Sequence, residues 1–152
     1  MSPFTKHYGA MWIVFVILVF VGALGLEIME GLKITTTEYY GLTNLGNTYL
    51  VIILFLICFP SSVLYFVAVL PLSVLLRKGT FAMFFVRTNI FIVLGAAGGK
   101  LLFHKLFIDH LIKGYDLNEF TAIIIFGACG LAYSLIDAFL MKKADWVIHK
   151  SQ

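Results

Sequence analysis

No aspartate, glutamate, lysine or arginine occurs across residues 39–76, a stretch of 38 residues made mostly of Leu, Ile, Val and Phe. A soluble domain needs charge on its surface at far shorter intervals, so this absence excludes a soluble fold. Charge is scarce elsewhere too. Residues 8–26 carry none, residues 80–99 carry only Arg87, and residues 120–141 carry only Asp137. The two cysteines, Cys58 and Cys129, each fall inside an apolar stretch. There a thiol behaves as a small buried hydrophobe, and a disulfide framework is not expected. No basic run is long enough to suggest direct nucleic-acid binding. Motifs of catalysis are lacking as well: there is no paired histidine and glutamate zinc motif, no glycine-framed serine nucleophile and no phosphate loop. The expectation is a protein that is not an enzyme, with no cofactor and no metal.

What the chain has is hydrophobicity, at 61% of residues and a mean hydropathy of +1.00. A helix crosses the roughly 30 Å hydrocarbon core with about 20 apolar residues at roughly 1.5 Å each. Four runs meet that length. They predict an all-α fold, a four-helix integral membrane bundle with helices near residues 8–28, 47–71, 80–102 and 119–141. Four such spans use roughly 85 residues, which leaves one transmembrane domain over residues 1–152 and the bilayer as its surroundings. The first run is too long for a signal peptide, follows a single Lys6, and ends in a poor cleavage site at Ala23-Leu24-Gly25. It is read as a retained helix.

Cation placement sets the expected orientation. With the N-terminus inside, Lys6, Arg77, Lys78, Arg87, Lys142, Lys143 and Lys150 lie inside, against Lys33, Lys100, Lys105 and Lys113 outside. Seven against four favours both termini in the cytoplasm of a multi-pass cell-membrane protein. Pro60, followed by Ser61 and Ser62, predicts a kink, with the hydroxyls satisfying freed carbonyls. Pro71 predicts the end of the second helix or another bend. The short turn at Arg77-Lys78-Gly79 predicts antiparallel second and third helices.

Between the first two spans, Tyr39, Tyr40 and Tyr49 suit the headgroup region. Between the last two, Leu102, Phe103, Leu106, Phe107, Ile108 and Leu111 recur at helical spacing, describing an amphipathic segment with Gly114 as its C-cap. Asp116 and Glu119 stand three apart, as in a capping arrangement before the fourth helix.

Ionisable residues inside a span are the natural functional candidates, since a charge at the bilayer centre costs roughly 2.5 to 3.5 kcal/mol or more. Arg87 and Asp137 both lie toward the inner side. Either they form an ion pair between the third and fourth helices, or Arg87 snorkels to the headgroups while Asp137 sits at the interface. Glu27, Glu30 and Lys100 read as boundary charges that stop spans. His104, Asp109 and His110 are metal-ligand types, but their spacing does not converge on one point. Gly95 and Gly99 have the small-xxx-small spacing that permits close helix approach, and Gly127 and Gly130 give the fourth helix a comparable face. Packing within the monomer is the favoured reading of both.

The order of features from Glu30-Gly31-Leu32 through Tyr39-Tyr40, Pro60, Asp109 and Tyr115-Asp116-Leu117 to Asp137 resembles the YrvL-type small membrane regulatory proteins of Gram-positive bacteria, over roughly residues 20–138. That resemblance implies a negative regulator of an alternative sigma factor, an anti-sigma factor acting by protein–protein contact at the inner face. Its partner would be the sigma factor or another membrane subunit. The expected cytoplasmic surface is small beside the roughly 800 Å² per partner of a stable interface, which favours a membrane subunit in the complex. Two other classes stay open: a bacteriocin-immunity or accessory protein, and a small transporter subunit with a path lined by Arg87, Asp137 and Asn89. Small multidrug antiporters share the four-span size, but they need a carboxylate deep in the first helix, where residues 11–26 have none.

Overall fold

The computed structural model describes residues 3–34, 58–76, 81–105 and 116–150. Among these the chain is all-α, with four helices each long and apolar enough to cross a membrane, as the run lengths predict. We label them α1 (Pro3–Met29), α2 (Cys58–Leu75), α3 (Phe81–Phe103) and α4 (Glu119–Lys150). The N-terminal part of the expected second span, Tyr39, Tyr40 and Tyr49, the Arg77-Lys78-Gly79 turn, most of the expected amphipathic segment and Gly114 lie outside the described residues.

Two helices are longer than their apolar runs. α1 begins at Pro3 rather than near residue 8, because proline suits a first helical turn, where its missing N–H leaves no bond unmade. α4 runs to Lys150, nine residues beyond the expected end at Met141. Lys142 and Lys143 end the apolar run but not the helix, and no glycine or proline follows to stop it. Charge marks a membrane boundary; only backbone chemistry ends a helix.

α2 departs from expectation in its interior. The described helix begins at residue 58, so the turn before Pro60, where the expected kink would form, lies outside the described residues. From residue 58 through residue 64 the chain is α-helical, and it then widens to a π turn over Tyr65–Val69, in which the Leu70 N–H donates to the Tyr65 carbonyl. The cause lies just downstream. Pro71 has no N–H to give the preceding turn and its ring crowds that turn's carbonyl, so a widened turn makes room and the helix continues to Leu75 instead of ending. Ser62 Oγ donates to the Cys58 carbonyl at 2.6 Å, one turn back on its own helix, and accepts the Trp12 indole N–H at 2.9 Å.

The bundle is apolar outside and, beside its apolar core, buries charged and polar side chains. Ile17, Val67, Val93, Ile124 and Phe139 face outward, while Glu30, Arg87, Thr88, Ser134 and Asp137 are buried. Water would reverse that arrangement, and lipid favours it. Two apolar clusters fill the core. Met11, Tyr65, Val69, Phe91 and Tyr133 pack where α1 begins, and Ala23, Leu26, Ile34, Phe103, Ala122 and Phe126 pack where α1 ends.

Between the clusters, α3 and α4 form the most extensive helix pair. A Cβ added to Gly95 would fall on the Phe126 carbonyl oxygen, and one on Gly130 would fall on that of Phe91. One on Gly99 would lie 2.6 Å from the Ala122 carbonyl oxygen. The two backbones therefore touch, which only glycine allows here. Gly127 is different: its nearest neighbour would be the Ala96 methyl at 3.8 Å, an ordinary contact. Gly22 of α1, which no spacing argument singled out, admits the edge of the Phe126 ring at 2.9 Å from an added Cβ.

Candidate functional site

Three helices bring one ionisable side chain each to a single point near the start of α1. Arg87 enters from the first third of α3 and Asp137 from the second half of α4. Arg87 Nη1 lies 3.0 Å from Asp137 Oδ2, with the two residues 3% and 2% exposed. On the other oxygen, His7 Nε2 of α1 stands 2.8 Å from Asp137 Oδ1. The carboxylate is thus bridged, guanidinium on one side and imidazole on the other. An ion buried in lipid needs this kind of pairing, since neither solvent nor headgroup reaches it. Of the two arrangements left open by the sequence, the structure places Arg87 in the pair and not at the headgroups.

Neutral hydrogen bonds extend the cluster to all four helices. Tyr65 of α2 donates its hydroxyl to the Tyr8 carbonyl of α1 at 2.9 Å, an atom reached because the π turn aims the ring inward. Ser73 of α2 and Tyr133 of α4 share a bond at 3.3 Å. Thr88 of α3 and Ser134 of α4 share another at 2.8 Å, while the same threonine hydroxyl contacts its own helix at the Phe84 carbonyl, 2.9 Å away. Among the described residues, Arg87 Nε is buried without a hydrogen-bond partner. Its guanidinium carbon also sits 5.9 Å from the centre of the Phe84 ring, at the outer limit of a cation–π contact.

His7 escaped the sequence reading for an identifiable reason. The expected span began at Tyr8, one position later, which put the histidine in a tail. Pro3 was the available signal, because a proline followed by residues without a helix breaker marks a helix start earlier than the apolar run does.

The opposite end holds a second polar cluster. The Glu30 carboxylate, 2% exposed, accepts Thr121 Oγ1 at 2.6 Å on one oxygen and both Lys33 Nζ and the Asn118 backbone N–H at 2.8 Å on the other. Lys33 Nζ also reaches the Asp116 carbonyl at 3.3 Å. Glu30 therefore clips the end of α1 to the start of α4, a larger role than a boundary charge. A Cβ at the neighbouring Gly31 would lie 2.5 Å from the carboxyl carbon of Glu27, the far end of a flexible side chain. Asn118 caps α4 through its Oδ1, which accepts the Phe120 N–H at 3.0 Å. The expected Asp116 and Glu119 capping pair does not form. Glu119 instead faces Lys100 at 3.6 Å and His104 at 3.2 Å.

Among the described residues no three of His, Cys, Asp and Glu converge to hold a metal. Asp109 and His110 lie outside the described residues. At Asp137 the guanidinium already occupies the position a cation would need. Asn89, two residues from Arg87, is on the outward face of α3, its amide donating to the Phe85 carbonyl at 2.8 Å. Arg87 and Asp137 point inward and Asn89 outward, so the three do not line one path.

The fold and its interior define a class: a helical bundle with the outer surface and buried charges of a multi-pass membrane protein. Comparison with protein-family models, with curated proteins and with solved structures gives no match.

Proposed function

We propose that this protein is a bacterial cell-membrane regulator, both termini cytoplasmic, that acts by binding another protein and not by catalysis. The YrvL resemblance gives the finer form of the reading: negative control of an alternative sigma factor, exerted on that factor or through another membrane subunit. One structural observation supports it above the others. α4 continues as an unbroken helix to Lys150, nine residues past its apolar run, or roughly 13 Å at helical rise. The stretch reads Lys-Lys-Ala-Asp-Trp-Val-Ile-His-Lys. A projecting helix that mixes charge with Trp and Ile is a common recognition element, presented to a groove on a partner. It gives a helical form to residues that already belong to the small expected inner surface. The polar cluster beneath it ties α4 to the other three helices, which gives the projection a fixed base.

The test is a pull-down of the intact chain from membranes with partner identification, alongside transcription profiling of a deletion strain. Co-purification of a transcription regulator or of a membrane protein that controls one, lost when the chain is ended after Lys142, is expected. Unchanged transcription together with substrate movement by the purified protein in vesicles would replace the reading with a transporter.

A further inference from the structure

The geometry points to a parallel homodimer in the membrane, built on the outward face of α3 with Asn89 of the two copies hydrogen-bonded to each other. Asn89 lies three positions from Ile92, the middle of the 23-residue α3, hence roughly 5 Å from the helix centre. That places it in the hydrocarbon. Its side chain is exposed on the outside of the bundle, and one amide hydrogen is taken by the Phe85 carbonyl of its own helix. The other hydrogen and the amide oxygen face lipid, which offers no partner. Asparagine is too short to reach the headgroups, unlike lysine or arginine.

The surroundings of Asn89 specify how a partner would lie. Ala82, Val86, Asn89 and Val93 follow one another at steps of four, three and four, with Lys100 seven positions further on, which is the a/d spacing of a left-handed helix pair. Ala96, between Val93 and Lys100, borders Gly127 of α4 at the edge of this face. Every one of them is exposed or half-buried. Small Ala and β-branched Val at these steps let two helices approach, and one asparagine at such a position fixes register. The occupant follows from symmetry. All copies of a chain insert the same way round, so two copies pair about a two-fold axis along the membrane normal, with identical residues opposite at identical depth. An amide is both donor and acceptor, hence complementary to itself. A second copy supplies the matching group without further adjustment, whereas an unrelated helix must carry a polar residue at that depth by coincidence. Lys100 ends the seam beyond the centre, and its charge is faced by Glu119 of its own chain at 3.6 Å.

The full chain, with Cys58 and Cys129 replaced by Ser and a dye carried at Ser151→Cys, is reconstituted in phosphatidylcholine and phosphatidylglycerol vesicles, and energy transfer between copies is followed as lipid is added. Transfer above the level of random encounter is expected. Asn89→Val should weaken it roughly 3- to 30-fold in dissociation constant, the range of one interhelical polar contact in lipid, while Asn89→Gln should retain it. Disulfide cross-linking in native membranes, with Asn89 intact, gives an independent reading should the Val variant fail to fold. Val86→Cys and Val93→Cys should join two copies, and Leu94→Cys and Leu101→Cys should not. Random-level transfer, an unaffected Asn89→Val, cross-links at Leu94 in place of Val93, or cross-links from Val86→Cys to a different protein would each overturn the homodimer.

Discussion

Arg87 and Asp137 meet at 3.0 Å between α3 and α4, each all but sealed from the exterior of the bundle. Asp137→Ala strands Arg87 in a medium that cannot solvate it and should cost about 3 to 5 kcal/mol. Arg87→Ala leaves the carboxylate with the His7 imidazole alone and should fall toward the lower end of that range. The double replacement should cost well below the sum. A double-mutant cycle on the thermal unfolding of detergent-solubilised protein measures the difference, and additive effects would show that the two side chains do not stabilise one another.

His7 adds a second contact to the same carboxylate, and its loss is predicted to be milder. His7→Ala removes one charge-assisted hydrogen bond, worth roughly 1.5 to 3 kcal/mol, but leaves Asp137 paired with Arg87. The informative variant combines His7→Ala with Asp137→Ala. Since the histidine acts here through the aspartate, the combination should melt close to Asp137→Ala alone. A further large drop would assign His7 a role apart from Asp137.

How far the sequence carried this site depends on what each residue needed for its placement. Arg87 and Asp137 were legible because lipid makes any charge in an apolar run conspicuous, and both stand alone in theirs. Helical rise put both toward the same side of the membrane and left open whether they pair. His7 was not legible, because hydropathy locates the apolar part of a helix and says nothing of a polar turn added before it. The same limit hid the extension of α4 to Lys150. Tyr65 needed the π turn, which arises from Pro71 six positions later, and the spacing rules of a regular helix cannot supply that geometry. Glu30 was seen only as a boundary charge, since its partners Asn118 and Thr121 come from a distant part of the chain.

That clip at Glu30 gives the third prediction. Glu30→Ala leaves the Asn118 N–H and the Thr121 hydroxyl without their acceptor and leaves Lys33 with the Asp116 carbonyl alone. A loss of roughly 1.5 to 3 kcal/mol is expected. Glu30→Gln keeps an acceptor oxygen, so it should recover part of the loss. Because the clip joins the end of α1 to the start of α4, proteolysis of the purified protein near residues 31–34 should accelerate in Glu30→Ala more than in His7→Ala. Equal rates would deny it a local role.

The glycines of the α3 and α4 interface give the sharpest contrast, because four similar residues have different neighbours. Gly95→Ala and Gly130→Ala place a methyl against a backbone carbonyl of the facing helix, and a backbone cannot turn aside as a side chain does. The helices must separate, at a cost of typically 1 to 3 kcal/mol for overpacking. Gly99→Ala should behave alike, with the Ala122 carbonyl 2.6 Å from the new carbon. Gly127→Ala has an ordinary 3.8 Å contact to the Ala96 methyl and gains helix propensity, so it should be neutral or slightly stabilising. Thermal unfolding in detergent ranks the four. If Gly127→Ala proved the most damaging, the backbone approach at Gly95 and Gly130 would not be what holds α3 against α4.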